Sequence, residues 1–181
     1  MGPLIRAIAY GSLYIGVVLV FLPARVLEWS GVTRPLTTGP VQIVAAAIAA
    51  GGLALALWCI LTFVIVGRGT PAPFDPPRRL VVSGPYRYVR NPMYIGVALA
   101  LAGATLFYRS LALLGYATLF VVVVHLFIVT YEEPTLRSTF GQDYEVYSSR
   151  VNRWWPSYPG MPRGEIPAMP AEGRRGNERS E

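Results

Sequence analysis

The sequence predicts an all-α integral membrane protein with four transmembrane helices, the last two forming a C-terminal helical hairpin, and a cytoplasmic interfacial amphipathic helix after it. Three observations support this fold class. Hydrophobic residues make up 53% of the 181 residues and charged residues only 14%, whereas an ordinary soluble domain is roughly 25% charged. Long apolar runs alternate with short polar segments, and all 16 basic residues are arginines concentrated in alternate segments. The net charge of +6 predicts contact with anionic lipid rather than nucleic acid, because the arginines flank apolar runs.

The first two predicted spans lie in the N-terminal part. Ala7 to Leu22 is interpreted as an uncleaved span, because Pro23-Ala24-Arg25 is a poor signal-peptidase site. Pro23 to Pro40 is expected to be a polar connector. Val41 to Val66 is the clearest span and exceeds the ~20 residues that a bilayer requires. It carries small residues that would let another helix approach closely, namely Ala45, Ala46, Ala49, Ala50 and Gly52.

A polar stretch, Leu80 to Tyr94, precedes the third span. Asn91 is a suitable N-cap and Pro92 suits the first helical position, so a helix is expected to begin at Pro92. The N-terminus of that helix would attract a carboxylate or phosphate, and Arg87 and Arg90 add positive charge nearby. Alternatively, Arg90 only anchors the helix at lipid headgroups and the tyrosines form an aromatic belt.

The third and fourth spans are predicted to form a tight antiparallel hairpin. Only Tyr108, Arg109 and Ser110 separate the third span from the fourth, which runs from Ser110 to Thr130. The distribution of arginines places the N-terminus in the cytoplasm. The Leu80–Tyr94 stretch and the segment after Thr130 are therefore expected to meet on the cytoplasmic side.

An acidic pair follows the fourth span. Pro134 is expected to end the helix, which would place Glu132 and Glu133 at a helix C-terminus, where the macrodipole disfavours acids. That unfavourable position indicates that the pair faces Arg87, Arg90 and the start of the third span as half of a polar pocket. The alternative is a surface ion pair, worth ~0–1 kcal/mol.

A further amphipathic run ends the ordered part of the predicted fold. Arginines alternate there with apolar and aromatic residues at helical spacing, a pattern typical of a helix that lies on the membrane surface or folds over the pocket as a lid. The apolar set is Leu136, Phe140, Tyr144, Tyr147, Val151 and Trp154. Beyond this run, the composition in Pro, Gly and charge predicts a disordered tail.

The remaining motifs do not indicate another function. Gly67-Arg68-Gly69 does not complete a dinucleotide-binding glycine pattern, and no predicted strand precedes it. His125 lies inside the fourth span, where an ionisable residue suggests function, although a neutral histidine packed toward a neighbouring helix is the simpler interpretation. Cys59 is the only cysteine, so no disulfide framework is possible. No cluster has metal-ligand spacing, so no metal is predicted.

Several motifs occur together, and their order resembles a known superfamily. They are Gly84-Pro85-Tyr86, Arg90-Asn91-Pro92-Met93-Tyr94-Ile95-Gly96, Glu132-Glu133 and Phe140-Gly141-Gln142-Asp143-Tyr144. Over roughly residues 80–156 the chain resembles the isoprenylcysteine carboxyl methyltransferase and phospholipid methyltransferase superfamily. Its members are multi-span membrane enzymes that hold S-adenosylmethionine in their C-terminal half. The implied organisation is a two-span membrane region at 1–66, a cofactor-binding methyltransferase region at 67–156 and a disordered tail at 157–181.

The resemblance implies a set of site residues. The expected cofactor-binding positions are Arg78, Arg79, Leu80, Val81, Tyr86, Asn91, Pro92, Met93, Tyr94 and Glu132. Arg90 and Glu133 are the expected catalytic residues, Glu133 being a candidate proton acceptor if the methyl acceptor is an amine. The implied reaction is S-adenosylmethionine-dependent methylation of a lipophilic or lipidated substrate, of the prenylcysteine O-methylation type. It would take place among membrane lipids, at the cytoplasmic face of a bacterial-type inner membrane.

Three alternatives remain open at this level. A phospholipid or lipid amine N-methyltransferase shares every motif and differs only in its acceptor. A sterol-type reductase has a similar C-terminal region but uses NADPH, and a non-enzymatic accessory protein could retain the motif for helix packing. Two positions depart from the family pattern: Asn91 stands where histidine is frequent, and Ile128 stands where the eukaryotic prenylcysteine enzymes carry a substrate-binding arginine. The sequence fixes neither the acceptor nor the oligomeric state.

Overall fold

The computed structural model describes residues 13–14, 16–32, 39–67 and 80–157, and the regular secondary structure among them is helical, with no strand. The α-helices are α1 (Leu22–Ser30), α2 (Pro40–Thr62), α3 (Pro92–Tyr108), α4 (Leu111–Phe127), α5 (Glu133–Phe140) and α6 (Gln142–Arg150). They are joined by π-helical segments at Gly16–Phe21, Phe63–Gly67 and Ile128–Glu132, and by a 3-10 turn at Gly84–Arg87. The predicted all-α class is confirmed for this part of the chain.

Among the residues that the structure describes, two helices are long and apolar enough to cross a membrane. They are Pro40–Thr62 and the continuous helix Leu111–Phe140, while the apolar α3 is shorter, with 17 residues. Large apolar side chains point outward from both long helices, such as Ile43 at 62% exposure and Leu119 at 61%. An apolar surface of this extent suits lipid better than water, which is consistent with a membrane protein. The arrangement in four spans stays a prediction.

The N-terminal helix continues past its predicted end. The π-helical segment Gly16–Phe21 leads directly into α1, which ends at Gly31 with a left-handed φ of 66°. Pro23 lies in the first turn of α1, where its missing N–H removes no intrahelical bond. The first eight residues of the predicted polar connector, Pro23 to Ser30, are therefore helical. Residues 33–38, 68–79 and 158–181, which include nearly all of the predicted disordered tail, lie outside the described residues.

Helices α2 and α3 pack with their backbones almost in contact. A Cβ atom added to Gly52 would lie 2.5 Å from the carbonyl oxygen of Gly96. A Cβ atom added to Gly103 would lie 2.6 Å from the backbone nitrogen of Ala49. Such distances leave no room for a side chain, so these glycines permit the close approach that small residues give helices in membranes.

The predicted small-residue face of the second span is only half correct. Ala45 is fully buried and Ala49 and Gly52 face α3. Ala46 and Ala50 are exposed, because residues one position along a helix turn away from the contact. The α3-facing set is instead completed by a residue one turn beyond Gly52, Ala56, which is 1% exposed.

A tight turn joins α3 to α4. Helix α3 ends at Tyr108 and α4 begins at Leu111. Arg109 takes a left-handed φ of 49°, and the Ser110 hydroxyl accepts a hydrogen bond of 3.2 Å from the N–H of Leu113. This cap satisfies one of the free donors of the new helix, and it reverses the chain in two residues.

The helix of the fourth span does not end at Pro134, which corrects the prediction. The chain passes from α4 through the π-helical segment Ile128–Glu132 into α5, and Pro134 lies in the first turn of α5. A π-helical segment shifts the hydrogen-bond register, so a proline in the turn just after it removes little. Glu132 and Glu133 therefore lie within one continuous helix, not at a C-terminus.

The predicted single amphipathic helix is two short helices. They meet at Gly141, whose φ of 52° and ψ of −124° are backbone angles that a residue with a side chain rarely adopts. The break redirects the chain, so that α6 and the segment after it contact the residues preceding α3 through the hydrogen bonds described next. The sequence left open whether this segment lies on the membrane surface or folds over the pocket, and these contacts favour the second placement.

Candidate active site

The candidate site lies at the open end of the α3–α4 hairpin. Tyr94, in the first turn of α3, donates a hydrogen bond of 3.1 Å from its hydroxyl to Oε2 of Glu132. Arg90, just before α3, donates from Nη1 to Oε1 of Glu133 at 3.0 Å. The sequence prediction that these two distant segments meet is confirmed. Each acid has its own partner, because neighbouring helical residues point in different directions.

Glu132 lies just beyond the apolar part of its helix. Residues 111–130 form the apolar stretch, and at 1.5 Å per residue they span about 30 Å, the hydrocarbon thickness of a bilayer. The carboxyl group of Glu132 is largely enclosed by its neighbours. Burial raises its pKa, the hydrogen bond from Tyr94 lowers it, and the charge of Glu133 raises it; the net direction is upward from the ordinary 4.5. Its ionised form is thus under-compensated in the absence of a further cation.

Glu133, by contrast, is enclosed by two arginines. Arg153 binds it through a pair of hydrogen bonds, and Arg90 donates to one of the same oxygens. Burial raises the pKa of Glu133, but the hydrogen bonds of Arg153 and the charges of Arg90 and Arg153 outweigh it, so the pKa falls below 4.5. A carboxylate held in its charged form in this way is a poor proton acceptor. The geometry therefore favours a structural role for Glu133.

Arg90 is fixed at both its backbone and its side chain. Its N–H donates to the carbonyl of Asn152 at 2.9 Å, and its Nη1 also lies 3.3 Å from the hydroxyl of Tyr144. Its Nε is buried and has no hydrogen-bond partner among the described residues. One buried guanidinium donor therefore remains available at the site.

Asn91 precedes α3 but does not cap it, contrary to the prediction. With φ −122° and ψ 51°, it directs its amide away from the helix, and Nδ2 donates to the carbonyl of Arg153 at 3.3 Å. Within the described part of the chain, the N-cap side chain makes no hydrogen bond to the first turn of α3. The first N–H groups of α3 after Pro92 can therefore donate to another acceptor, and this is the position at which helices bind anions.

Residues 151–157 form a segment that we call the C-terminal strap. The N–H of Ser157 donates to the carbonyl of Tyr88 at 2.7 Å, and Asn152 accepts from Arg90 as described above. Within the strap, the Ser157 hydroxyl accepts from the N–H of Asn152 at 2.8 Å. These bonds tie the strap along residues 88–91. It brings Arg153 to Glu133, a pairing that sequence reasoning missed, although an unmatched arginine after two acids was a signal for it.

The wall of the site is aromatic. Tyr86 is 6% exposed, and its ring meets that of Phe63 edge to face at 5.2 Å. Its carbonyl accepts a 2.8 Å hydrogen bond from the hydroxyl of Tyr147 on α6. Burial, with smaller contributions from the neighbouring Cys59 thiol, raises the pKa of Tyr86 well above its ordinary value. The phenol therefore stays neutral and presents a polarised ring and a hydroxyl.

The other predicted site residues are distributed unevenly. Val81 and Met93 are buried in one cluster with Tyr86, and Leu80 is half-buried. Arg87 is exposed and lies away from the acid pair's contacts. Arg78 and Arg79 lie outside the described residues.

The simpler interpretation predicted that His125 packs toward a neighbouring helix, and this is wrong. The histidine is exposed on α4, and its Nδ1 accepts a 3.2 Å hydrogen bond from the indole N–H of Trp154. The contact is made by the strap rather than by a span. It explains a histidine at this depth without assigning it chemistry.

An apolar groove runs from the site along the outside of the hairpin. Its volume is about 490 Å³, and Tyr94 and Trp154 lie at one end of it. Its sides are formed by small or apolar residues of α3 and α4, including Ala98, Ala102 and Phe120. Tyr94 also binds Glu132, so this residue links the groove to the acid pair. Among the residues with a described position, no group of three His, Cys, Asp or Glu side chains is placed to hold a metal ion.

Comparison with known proteins gives one family. The model of the phospholipid methyltransferase family matches residues 41–143, from α2 to the start of α6. An uncharacterised protein of Haemophilus influenzae is 40% identical over 63 residues, which are 34% of this chain and 98% of that protein. No solved structure matches the chain.

Proposed function

Because this chain belongs to the phospholipid methyltransferase family, and is thereby a methyltransferase of the membrane, we propose that it transfers a methyl group from S-adenosylmethionine to a lipophilic acceptor. The observation that carries the cofactor assignment is the enclosed carboxylate of Glu132, bonded to Tyr94 beside the uncapped start of α3. In this proposal the chain spans the membrane four times. The site then faces the cytoplasm, as the distribution of arginines predicts.

The residues of the site suit the charges of this cofactor. S-adenosylmethionine carries a sulfonium, an ammonium and a carboxylate. Glu132 would hold the ammonium, and the free Nε of Arg90 and the first-turn amides of α3 would hold the carboxylate. In this proposal the ring of Tyr94, with Tyr86 behind it, would face the sulfonium, an attraction of ~0.5–2 kcal/mol. When bound, the cofactor supplies an electrophilic methyl group for in-line displacement.

The protein's own contribution is alignment and the exclusion of water. Glu133, held by Arg90 and Arg153, fixes the π-helical segment that presents Glu132. The strap covers residues 88–91, and the groove would hold the apolar tail of the acceptor. Holding two reactants in line can contribute up to ~7–11 kcal/mol at ideal geometry, and the displacement itself requires no metal.

The acceptor class is the second part of the proposal. A prenylcysteine-type O-methylation would bring an anionic carboxylate to the site, but Ile128, at the position where an arginine would bind it, is 1% exposed and apolar. A lipid amine is favoured by the anionic Glu132 beside the groove. An amine must lose a proton to react. Glu132 has two carboxylate oxygens, so one would hold the cofactor's ammonium while the other accepts the proton of the amine. Its raised pKa suits that task better than the doubly paired Glu133 that the sequence suggested.

Cofactor binding to detergent-purified protein tests the first part. Radiolabelled S-adenosylmethionine should bind and NADPH should not, which separates a methyltransferase from a reductase. Glu132→Gln and Tyr94→Phe should weaken binding at least about tenfold, while Glu145→Gln, an exposed acid on α6, should not. Binding of NADPH alone, or of neither cofactor, would reject the proposal in favour of the reductase or the accessory protein.

Methyl transfer to a membrane lipid extract, followed by mass spectrometry, tests the second part. The product gains one methyl group either on a carboxylate or on an amine.

The orientation of the site is tested by cysteine labelling, for which the exposed Arg87 is a suitable position. A membrane-impermeant maleimide should label Arg87→Cys in inside-out vesicles and not in intact cells; the reverse pattern would contradict the cytoplasmic site.

A further inference from the structure

Two tyrosines pack against one apolar cluster near the site, and only one of their hydroxyls is used. The cluster is formed by Ala56, Val97 and Leu101, and Tyr14 and Tyr116 both contact it. The hydroxyl of Tyr116 donates a 2.9 Å hydrogen bond to the carbonyl of Val18. The hydroxyl of Tyr14 is buried and has no hydrogen-bond partner among the described residues.

A buried hydroxyl without a partner destabilises the fold, since it has lost its hydrogen bonds to water. Phenylalanine would fill the same space without that loss. Tyr14 therefore carries an oxygen atom that packing does not require, and its position suggests a use. The cluster against which it packs includes Val97, one turn along α3 from Tyr94, and Tyr94 binds Glu132.

The side of the site on which Tyr14 lies indicates what it would meet. The cluster against which it packs includes Val97 and Leu101, which lie one and two turns further along α3 than the start of the helix. The loop and the strap, through which a water-soluble cofactor would enter, lie at the opposite end, before Pro92. Tyr14 thus lies on the membrane side of the Tyr94–Glu132 pair, the side from which the head group of a lipid would arrive.

We propose that Tyr14 binds the polar head group of the methyl acceptor, a lipid amine. The hydroxyl oxygen of Tyr14 would accept a hydrogen bond from one N–H of the amine, and Glu132 would accept a hydrogen bond from the other. This inference rests on the proposed function. Two acceptors on the N–H groups of a neutral primary amine leave its lone pair free to face the cofactor. Tyr14 also precedes the region matched by the family model, residues 41–143, so acceptor selection would depend on the N-terminal helix of this particular chain.

The test compares Tyr14→Phe with Tyr116→Phe in the full-length protein in detergent. The acceptors are phosphatidylethanolamine in mixed micelles and an N-acetylated prenylcysteine. Tyr14→Phe should raise the KM for phosphatidylethanolamine about tenfold, the loss expected for one hydrogen bond, and leave the Kd for S-adenosylmethionine unchanged. Its thermal unfolding midpoint should be equal to or above that of the wild type. Tyr116→Phe should lower the midpoint and leave KM within about twofold.

The outcomes separate this inference from the proposed function. If the wild type methylates phosphatidylethanolamine and Tyr14→Phe keeps the same KM, only the role of Tyr14 is rejected. A fall in its unfolding midpoint equal to that of Tyr116→Phe also rejects the role, because the hydroxyl would then have a structural partner. If the wild type methylates only the prenylcysteine, the amine assignment fails. If it methylates neither acceptor and binds no S-adenosylmethionine, the proposed function fails together with this inference.

Discussion

Arg153 holds Glu133 through two parallel hydrogen bonds, from Nε to Oε1 and from Nη2 to Oε2, each 2.8 Å long. The Glu133 side chain is only 9% exposed, so the arginine compensates a buried charge. Arg153 comes from the strap and Glu133 from the helix that continues α4. The pair therefore joins the last described segment of the chain to the acid pair, and it fixes the turn that presents Glu132.

Arg153→Gln should destabilise the protein by about 2–3 kcal/mol, because breaking a largely buried pair leaves a carboxylate uncompensated. The remaining contact with Arg90 keeps the loss below the upper end of the usual range. The stability of Arg153→Lys should lie between that of the wild type and that of Arg153→Gln, since lysine keeps the charge but cannot form the two parallel hydrogen bonds. Chemical unfolding in detergent, followed by circular dichroism, measures the change.

The matched control is Arg137→Gln. Arg137 pairs with Glu145 at 3.1 Å, but both side chains are more than half exposed, so the loss should be too small to measure. Equal destabilisation by the two glutamine variants would show that the burial of Glu133 does not matter.

Acid should weaken the same contact. Burial raises the pKa of Glu133, but the neighbouring arginines outweigh burial and lower this pKa below 4.5. The stability that ionised Glu133 contributes is therefore complete above about pH 4.5, and it is lost as the pH falls through the lower pKa of the folded protein. Between about pH 5 and 3 the unfolding midpoint of the wild type should fall more than that of Glu133→Gln. Parallel curves for the two proteins would contradict this assignment.

Glu132→Gln should lose cofactor binding without losing stability. Burial and Glu133 raise the pKa of Glu132, so its charged form at pH 7 opposes folding, and the neutral amide should leave stability unchanged or higher by up to about 1 kcal/mol. Binding of labelled S-adenosylmethionine and the unfolding free energy are measured on the same preparation. A variant that is clearly less stable than the wild type would indicate that Glu132 serves the fold rather than a ligand.

Gly52→Ala should separate α2 from α3, because the new methyl group would meet the backbone oxygen of Gly96 at 2.5 Å. We expect a loss of about 3 kcal/mol, at the upper end for overpacking, since backbone cannot give way. Gly51→Ala is the control: nothing lies within 4 Å of its Cβ position, and alanine favours the helix by up to ~1 kcal/mol. Thermal unfolding of both variants decides whether this contact is as close as described.

The sequence predicted the parts of this fold that depend on short-range chemistry. Pro92 marks the start of α3, and the three residues after Phe107 leave room only for a tight reversal, so the meeting of Arg90 and Glu133 could be inferred. Pro134 misled because a proline is read as a helix end unless the helix has changed register just before it. No residue in Ile128–Glu132 signals a π-helical segment, since that register is chosen by packing.

The contacts made by the strap could not be predicted for a different reason. They are hydrogen bonds between segments about 60 residues apart, and several use backbone atoms, as Asn152 does with Arg90, so no side-chain pattern encodes them. Asn91 shows the consequence. Its sequence position is that of an N-cap, but its amide binds the carbonyl of Arg153 instead, because a tertiary partner outcompeted the local one.

The unbroken helix from Leu111 to Phe140 would fix how deep in the membrane the acids that it carries lie. In a bilayer, its apolar stretch matches a hydrocarbon layer of ordinary thickness, and Glu132 follows one residue after that stretch ends. A thinner or thicker leaflet must tilt this rod or deform around it, at a modest free-energy cost per ångström of mismatch. The acyl-chain length of the surrounding lipids would thereby set how deeply an incoming head group must sink before it reaches the carboxylate.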